Sequence, residues 1–170
     1  NSGHAICAYL GYLKGYQSIK ESVADPAVGA IVHAAISESG EGLIKEFGFD
    51  PDVHHAYVEK IFARYQNPYL EDEVLRVGRE PIRKLEAGDR LIKPLVTTAS
   101  YGLPVDHLIF GAAAALRFDC PEDPQSVELQ AKIKAEGPAA ALETYSGLKP
   151  ENPLFGRILD VYRALAAAKK

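Results

Sequence analysis

The 170-residue chain has no methionine, not even at its first position, so Asn1 is not expected to be where translation began. It reads as a fragment or a processed product. Cysteine is nearly absent as well. Cys7 and Cys120 stand far apart and outside any CxxC spacing, which excludes a disulfide framework or a zinc ribbon and suits core thiols in a reducing compartment. There is no excess of positive charge. A formal net charge of -4 leaves no global field for nucleic acid or an anionic membrane, so any anion site must be local. The longer apolar stretches, such as Leu108 to Leu116, fall well short of the roughly twenty residues that span a bilayer. The N-terminus has neither a basic and apolar leader nor an Arg-rich transit pattern, which leaves the cytoplasm as the expected compartment. HExxH, GxSxG, the Walker loop and GxGxxG are all missing. The chain therefore offers no familiar zinc, acyl-transfer or nucleotide site of its own, and no metal is expected.

What is present is ordinary globular composition, 47% hydrophobic and 25% charged, over a length that suits one domain with a sizeable core. Three Asp-Pro pairs, at 25–26, 50–51 and 123–124, each place a capping carboxylate before a residue suited to a first helical turn. After the first pair, Val28, Ile31, Val32, Ala35, Ser39, Gly42, Leu43 and Phe47 recur at helical spacing, with Gly48 as the stop. After the second, Val53, Tyr57, Val58, Ile61, Phe62 and Tyr65 form another stripe, ending near Asn67 ahead of Pro68. Leu154 to Leu165 repeats the pattern. Further helices are expected over 3–14, 105–118, 126–135 and 138–145. The one β-branched run, Val96 to Thr98, makes at most a poor strand beside Pro94. Residues 149–153 and the tail from Ala166 to Lys170 read as loosely tethered. The expected fold is mostly α, a single helical domain without internal repeats.

Two segments could carry chemistry. Asn1-Ser2-Gly3-His4 places an amide and an imidazole three residues apart, on one face if helical, where both could hold a carbonyl or alkoxide oxygen. Spacing alone equally allows Asn1 to be a helix cap and His4 a surface residue. From Arg76 to Lys93, Arg76, Arg79, Arg83, Lys84, Arg90 and Lys93 face only Glu80, Glu86 and Asp89. Such a local excess can bind phosphate, although pairing with Glu71, Asp72 and Glu73 on a solvated surface would also account for it. His33, His54, His55 and His107 show no ligand spacing, and Glu38 with Glu41 reads as a solvated helix face.

Taken in order, Asn1-Ser2-Gly3-His4, Arg64-Tyr65-Gln66-Asn67-Pro68-Tyr69, Arg76-Val77-Gly78-Arg79, Arg83-Lys84-Leu85 and Gly88-Asp89-Arg90-Leu91-Ile92-Lys93-Pro94 resemble the polyol-specific long-chain dehydrogenases of the mannitol dehydrogenase family. Within that family the likeness is to the C-terminal part of the mannitol-1-phosphate 5-dehydrogenases, and it runs over nearly the whole chain through Glu38-Ser39-Gly40, Tyr101-Gly102-Leu103-Pro104 and Asp123-Pro124-Gln125. The family signature is a lysine, four residues, an asparagine, two residues and a histidine. Asn1 and His4 match its last two fixed positions, and the lysine would lie five residues before Asn1.

The resemblance implies a helical domain like the C-terminal domain of 6-phosphogluconate dehydrogenase, with a Rossmann-type N-terminal domain that this chain lacks as its partner. It implies that Asn1 and His4 hold the reacting oxygen while the preceding lysine acts as base, without a metal. Arg76 and Lys84 resemble the arginine and the lysine eight residues on that contact substrate in mannitol 2-dehydrogenases. Arg79 and Arg83 are then candidates for a substrate phosphate. The implied reaction interconverts D-mannitol 1-phosphate and D-fructose 6-phosphate with NAD and NADH. The cofactor would be bound mainly by the missing domain, so the fragment alone is expected to be inactive. A mannitol 2-dehydrogenase or a hexuronate reductase is the near alternative. A non-catalytic helical interaction module is the alternative from another class.

Overall fold

In the computed structural model, residues 1–167 are described. They form, in order, α1 (Ser2–Lys14), α2 (Ile19–Ala24), α3 (Pro26–Phe47), α4 (Pro51–Tyr65), α5 (Val74–Gly78), α6 (Pro81–Leu85), α7 (Ile92–Ser100), α8 (Leu108–Ala115), α9 (Pro124–Glu136), α10 (Pro138–Ser146) and α11 (Pro153–Ala167). No strand forms among these residues, only an isolated antiparallel bridge between Ser18 and Glu73. The architecture is all-α and a single domain.

The aspartates act as their chemistry suggests. Asp25 accepts from the N–H groups of Ala27 (2.8 Å) and Val28 (3.1 Å), Asp50 from Val53 (3.0 Å) and Asp123 from Gln125 (3.1 Å), so each satisfies amides that α3, α4 and α9 would otherwise leave unpaired. Asp25 also takes Lys14 Nζ (2.9 Å) and Tyr16 Oη (2.8 Å), which ties the end of α1 to the start of α3. The Lys14 hydrogen bond first, and the amides after it, hold the Asp25 carboxyl well below the usual carboxylate range.

Helix α1 lies at the centre. Ala5 to Gly11 are all buried, because α8 covers one side and α2, α3 and α5 cover the others. Helix α8 is itself apolar from end to end, and a helix hydrophobic all round must sit inside. Leu108, Ile109 and Leu116 are almost wholly covered, each contributing about 1.5–3 kcal/mol relative to exposure. Close approach depends on missing side chains: a Cβ on Gly111 would meet Ile6 at 2.7 Å and one on Gly3 would meet Ile36 at 2.3 Å. Cys7 and Cys120 are buried thiols, as composition suggested, and burial pushes Cys7 up to about 12.

Several expectations need correcting. Val96 to Thr98 lies within helix α7, not a strand. Pro94 is the third residue of that helix, where its missing N–H has no helical partner to lose. Glu38 is not on a solvated face: its carboxylate accepts from the backbone N–H groups of His107 and Leu108 and meets His107 Nδ1 at 2.7 Å, closing the start of α8. Residues 149–152 are held by a turn in which Asn152 Oδ1 accepts from Leu154 N, and Pro153 opens α11. In the tail, 166 and 167 continue α11 and 168–170 lie outside the described residues.

Replacing Gly29 by alanine would ordinarily favour a helix by about 0.5–1 kcal/mol. Here the new Cβ would sit 2.6 Å from the backbone oxygen of Val23. Gly29→Ala is therefore expected to lower stability by about 1–3 kcal/mol, read as a lower urea midpoint at unchanged slope.

Candidate active site at the start of helix α1

The first turn of α1 is where the chemistry gathers. Asn1 occupies the N-cap position, yet its side chain makes no capping hydrogen bond, so the carboxamide is left for something else. His4, three residues on, is half-buried. Its ring stacks on Tyr65 (centroids 5.5 Å apart, 7° between planes), and Asp72 Oδ2 lies 3.1 Å from Nε2 without the alignment of a hydrogen bond. Asp72 is delivered by the backbone: Ile19 N donates to Asp72 O (2.9 Å) and Val74 N to Gln17 O (2.9 Å), pinning residues 72–74 against the entry to α2.

Asp72 serves two partners, because its other oxygen pairs with Arg76. Burial lowers the His4 pKa below the usual histidine value, with the Asp72 charge working against that shift. The ring is therefore neutral at pH 7.

Lys84, on α6, is only 3% exposed. Its Nζ donates to the carbonyl of Arg79, and among the described residues no carboxylate pairs with it. Burial first, then the Arg90 and Arg83 charges, lower its pKa to about 8. It remains mostly protonated at pH 7.

A cavity of about 330 Å³ opens beside this turn. Asn1 to Gly3 close one end, Ile36, Leu43 and Phe47 of α3 and Tyr57, Val58, Ile61 and Tyr65 of α4 form apolar and aromatic walls, and Lys93, Thr97 and Thr98 of α7 complete it. A second concavity holds Arg76 and Arg79 with Glu73, Glu122 and Asp123.

The family model of the mannitol dehydrogenase C-terminal domain matches residues 1–166. The chain belongs to that family. Mannitol dehydrogenase C-terminal domains are part of polyol dehydrogenases, oxidoreductases that generally use NAD and join this domain to an N-terminal one.

In this mannitol dehydrogenase domain the six candidate residues do not form one cluster. Asn1 and His4 share the first turn of α1, and Arg76 joins them through Asp72. Lys84 sits apart on α6, bonded to the Arg79 carbonyl and within electrostatic reach of Arg90 and Arg83. Arg83 pairs with Glu80 at 2.9 Å and gives its backbone N–H to Gln125 of α9 (2.9 Å). Arg79, with Nε 3.4 Å from the Arg76 carbonyl, lines the second concavity among three carboxylates. Of the six, only Asn1 lines the cavity; His4, Arg76, Arg79, Arg83 and Lys84 do not.

Two contributors escaped sequence reasoning: Asp72, read only as part of an acidic run, and the α7 face with Lys93. The three-residue step of Ile92, Leu95 and Thr98, all buried, was the available signal for α7. Among the described residues no group of three or more His, Cys, Asp or Glu could hold a metal, and no helix is long and apolar enough to cross a membrane.

Asp72→Asn removes the charge that favours the imidazolium, so the His4 midpoint is expected to fall further, as followed by NMR of the ring protons. A folded pKa below the unfolded one, about 6.5, means His4 favours the fold above that pH and loses this contribution as the pH falls through its folded pKa. The substitution deepens that acid sensitivity, and an unmoved midpoint would show that Asp72 does not act on the ring.

Proposed function

We propose that this chain is the substrate-binding domain of a dehydrogenase interconverting D-mannitol 1-phosphate and D-fructose 6-phosphate with NAD and NADH. The observation that carries the reading is the uncapped Asn1 carboxamide, which lines one end of a cavity of about 330 Å³ and lies one helical turn from a neutral, half-buried His4 stacked on the cavity residue Tyr65. Asn1 donates an N–H to the carbonyl oxygen of the ketose, and His4 contacts the same oxygen from the next turn. Donors held in place before charge develops lower the barrier because they need no reorganisation. Arg76, fixed by Asp72, and Lys84, fixed on the Arg79 carbonyl, match the family's substrate-contacting cations by resemblance alone, since neither lines this cavity. Lys84 weakens as a donor when the pH rises through about 8.

The nicotinamide cofactor does not fit this chain alone. The described residues form no strand, so there is no strand, glycine-rich turn and helix to cradle a pyrophosphate. In this reading it is bound by an N-terminal Rossmann domain, together with the basic lysine of the family signature. Phe47, Phe49, Val53 and Tyr57 are exposed beside the cavity mouth, and such a partner domain would cover them. This accounts for the apolar patch without a separate interaction module.

The test is to express the protein with its natural upstream sequence and follow NADH oxidation with fructose 6-phosphate and with fructose in parallel. A kcat/KM far higher for fructose 6-phosphate than for fructose is the expected result. Turnover of fructose alone would move the assignment to a mannitol 2-dehydrogenase, and no turnover of either would remove the enzymatic reading. Asn1→Ala in that protein is expected to lower kcat about 10²–10³-fold, as losing one oxyanion donor does elsewhere.

A further inference from the structure

Among the six basic residues between 76 and 93, the structure separates those already engaged from one that is not. Arg76 pairs with Asp72, Arg83 with Glu80 and Arg90 with Asp89, while Lys84 is committed to the Arg79 carbonyl and Arg79 faces carboxylates. Among the described residues Lys93 has no ion-pair or side-chain hydrogen-bond partner, and it lines the cavity that Asn1 closes. Thr97 follows it by four residues, on the same face of α7, and lines the same cavity. Beside it the Thr98 hydroxyl, in a residue only 1% exposed, has no hydrogen-bond partner. Glu46 of α3, the one carboxylate among the described residues that line the cavity, accepts from Tyr101 Oη at 2.6 Å and is not paired with Lys93.

We propose that Lys93, with Thr97 one turn along α7, holds the phosphate of the substrate and so sets the preference for a phosphorylated over a free sugar. This rests on the functional reading above. It replaces Arg79 and Arg83 as phosphate ligands, since neither reaches the cavity that holds Asn1. A phosphate monoester carries close to two negative charges at pH 7, and an ammonium without a competing carboxylate meets it at the lowest cost in lost partners. The aromatic walls, Tyr57 and Tyr65, face the carbon chain between the phosphate and the oxygen beside Asn1.

The experiment uses the protein with its upstream domain as wild type, Lys93→Gln, Lys93→Arg and Arg79→Gln. KM and kcat are measured with fructose 6-phosphate and with fructose, along with competitive inhibition by inorganic phosphate. The expected result for Lys93→Gln is a rise of about tenfold or more in KM for fructose 6-phosphate relative to fructose, with kcat changed far less. Inhibition by inorganic phosphate should weaken in parallel, and Lys93→Arg should recover part of both. An equal effect on the two sugars, or a larger discrimination loss in Arg79→Gln, would overturn the Lys93 assignment and leave the dehydrogenase reading intact. A wild type that reduces only fructose removes the phosphate site, and one that reduces neither sugar removes the functional reading beneath it.

Discussion

The structure depends on α1 being enclosed on every side. From Ala5 to Gly11 each residue is buried, and the neighbouring helices approach so closely that glycines at 3, 11 and 111 stand where a Cβ would collide with Ile36, Ser22 or Ile6. A helix confined in this way has almost no freedom to slide or rotate. The position of its first turn is therefore set by the packing of the whole domain, not by local contacts. Asn1, which lines the cavity, and His4, one turn along, inherit that precision because both belong to the first turn of the enclosed helix.

The parts of the fold that sequence made legible were those with strong local physics. The Asp-Pro caps, the long stripes of α3 and α4 and the apolar face of α11 each specify a helix without help from distant residues. Helices α2, α5 and α6 have five or six residues, below the length at which a helix holds itself, and exist because tertiary contacts surround them. Helix α7 was missed for another reason: Pro94 and a β-branched run suggest an extended segment, and only burial of Ile92, Leu95 and Thr98 along one face decides for the helix.

At the site, the asparagine and histidine were visible because they are neighbours in sequence. Asp72, sixty-eight positions beyond His4, comes beside it through a backbone bridge that no side-chain pattern announces. The basic run was legible as charge but not as direction. Six cations within eighteen residues look like one patch, yet two short helices and a turn send Arg79, Lys84 and Lys93 to different surroundings.

The turn joining α5 to α6 is held from three independent directions. Tyr9 Oη of α1 donates to the Gly78 carbonyl at 2.9 Å, Lys84 to the Arg79 carbonyl, and Glu80, at a φ of 59° that non-glycine residues seldom adopt, gives its N–H to Asp123 at 2.7 Å. Asp123 is also the cap of α9. Three consecutive peptide units are thus tied to the centre of the domain, to α6 and to α9 at once. A connection that would ordinarily be an adaptable loop becomes a rigid bracket, and the arginine and lysine on either side of it meet a ligand preorganised, with their ordering already paid in folding.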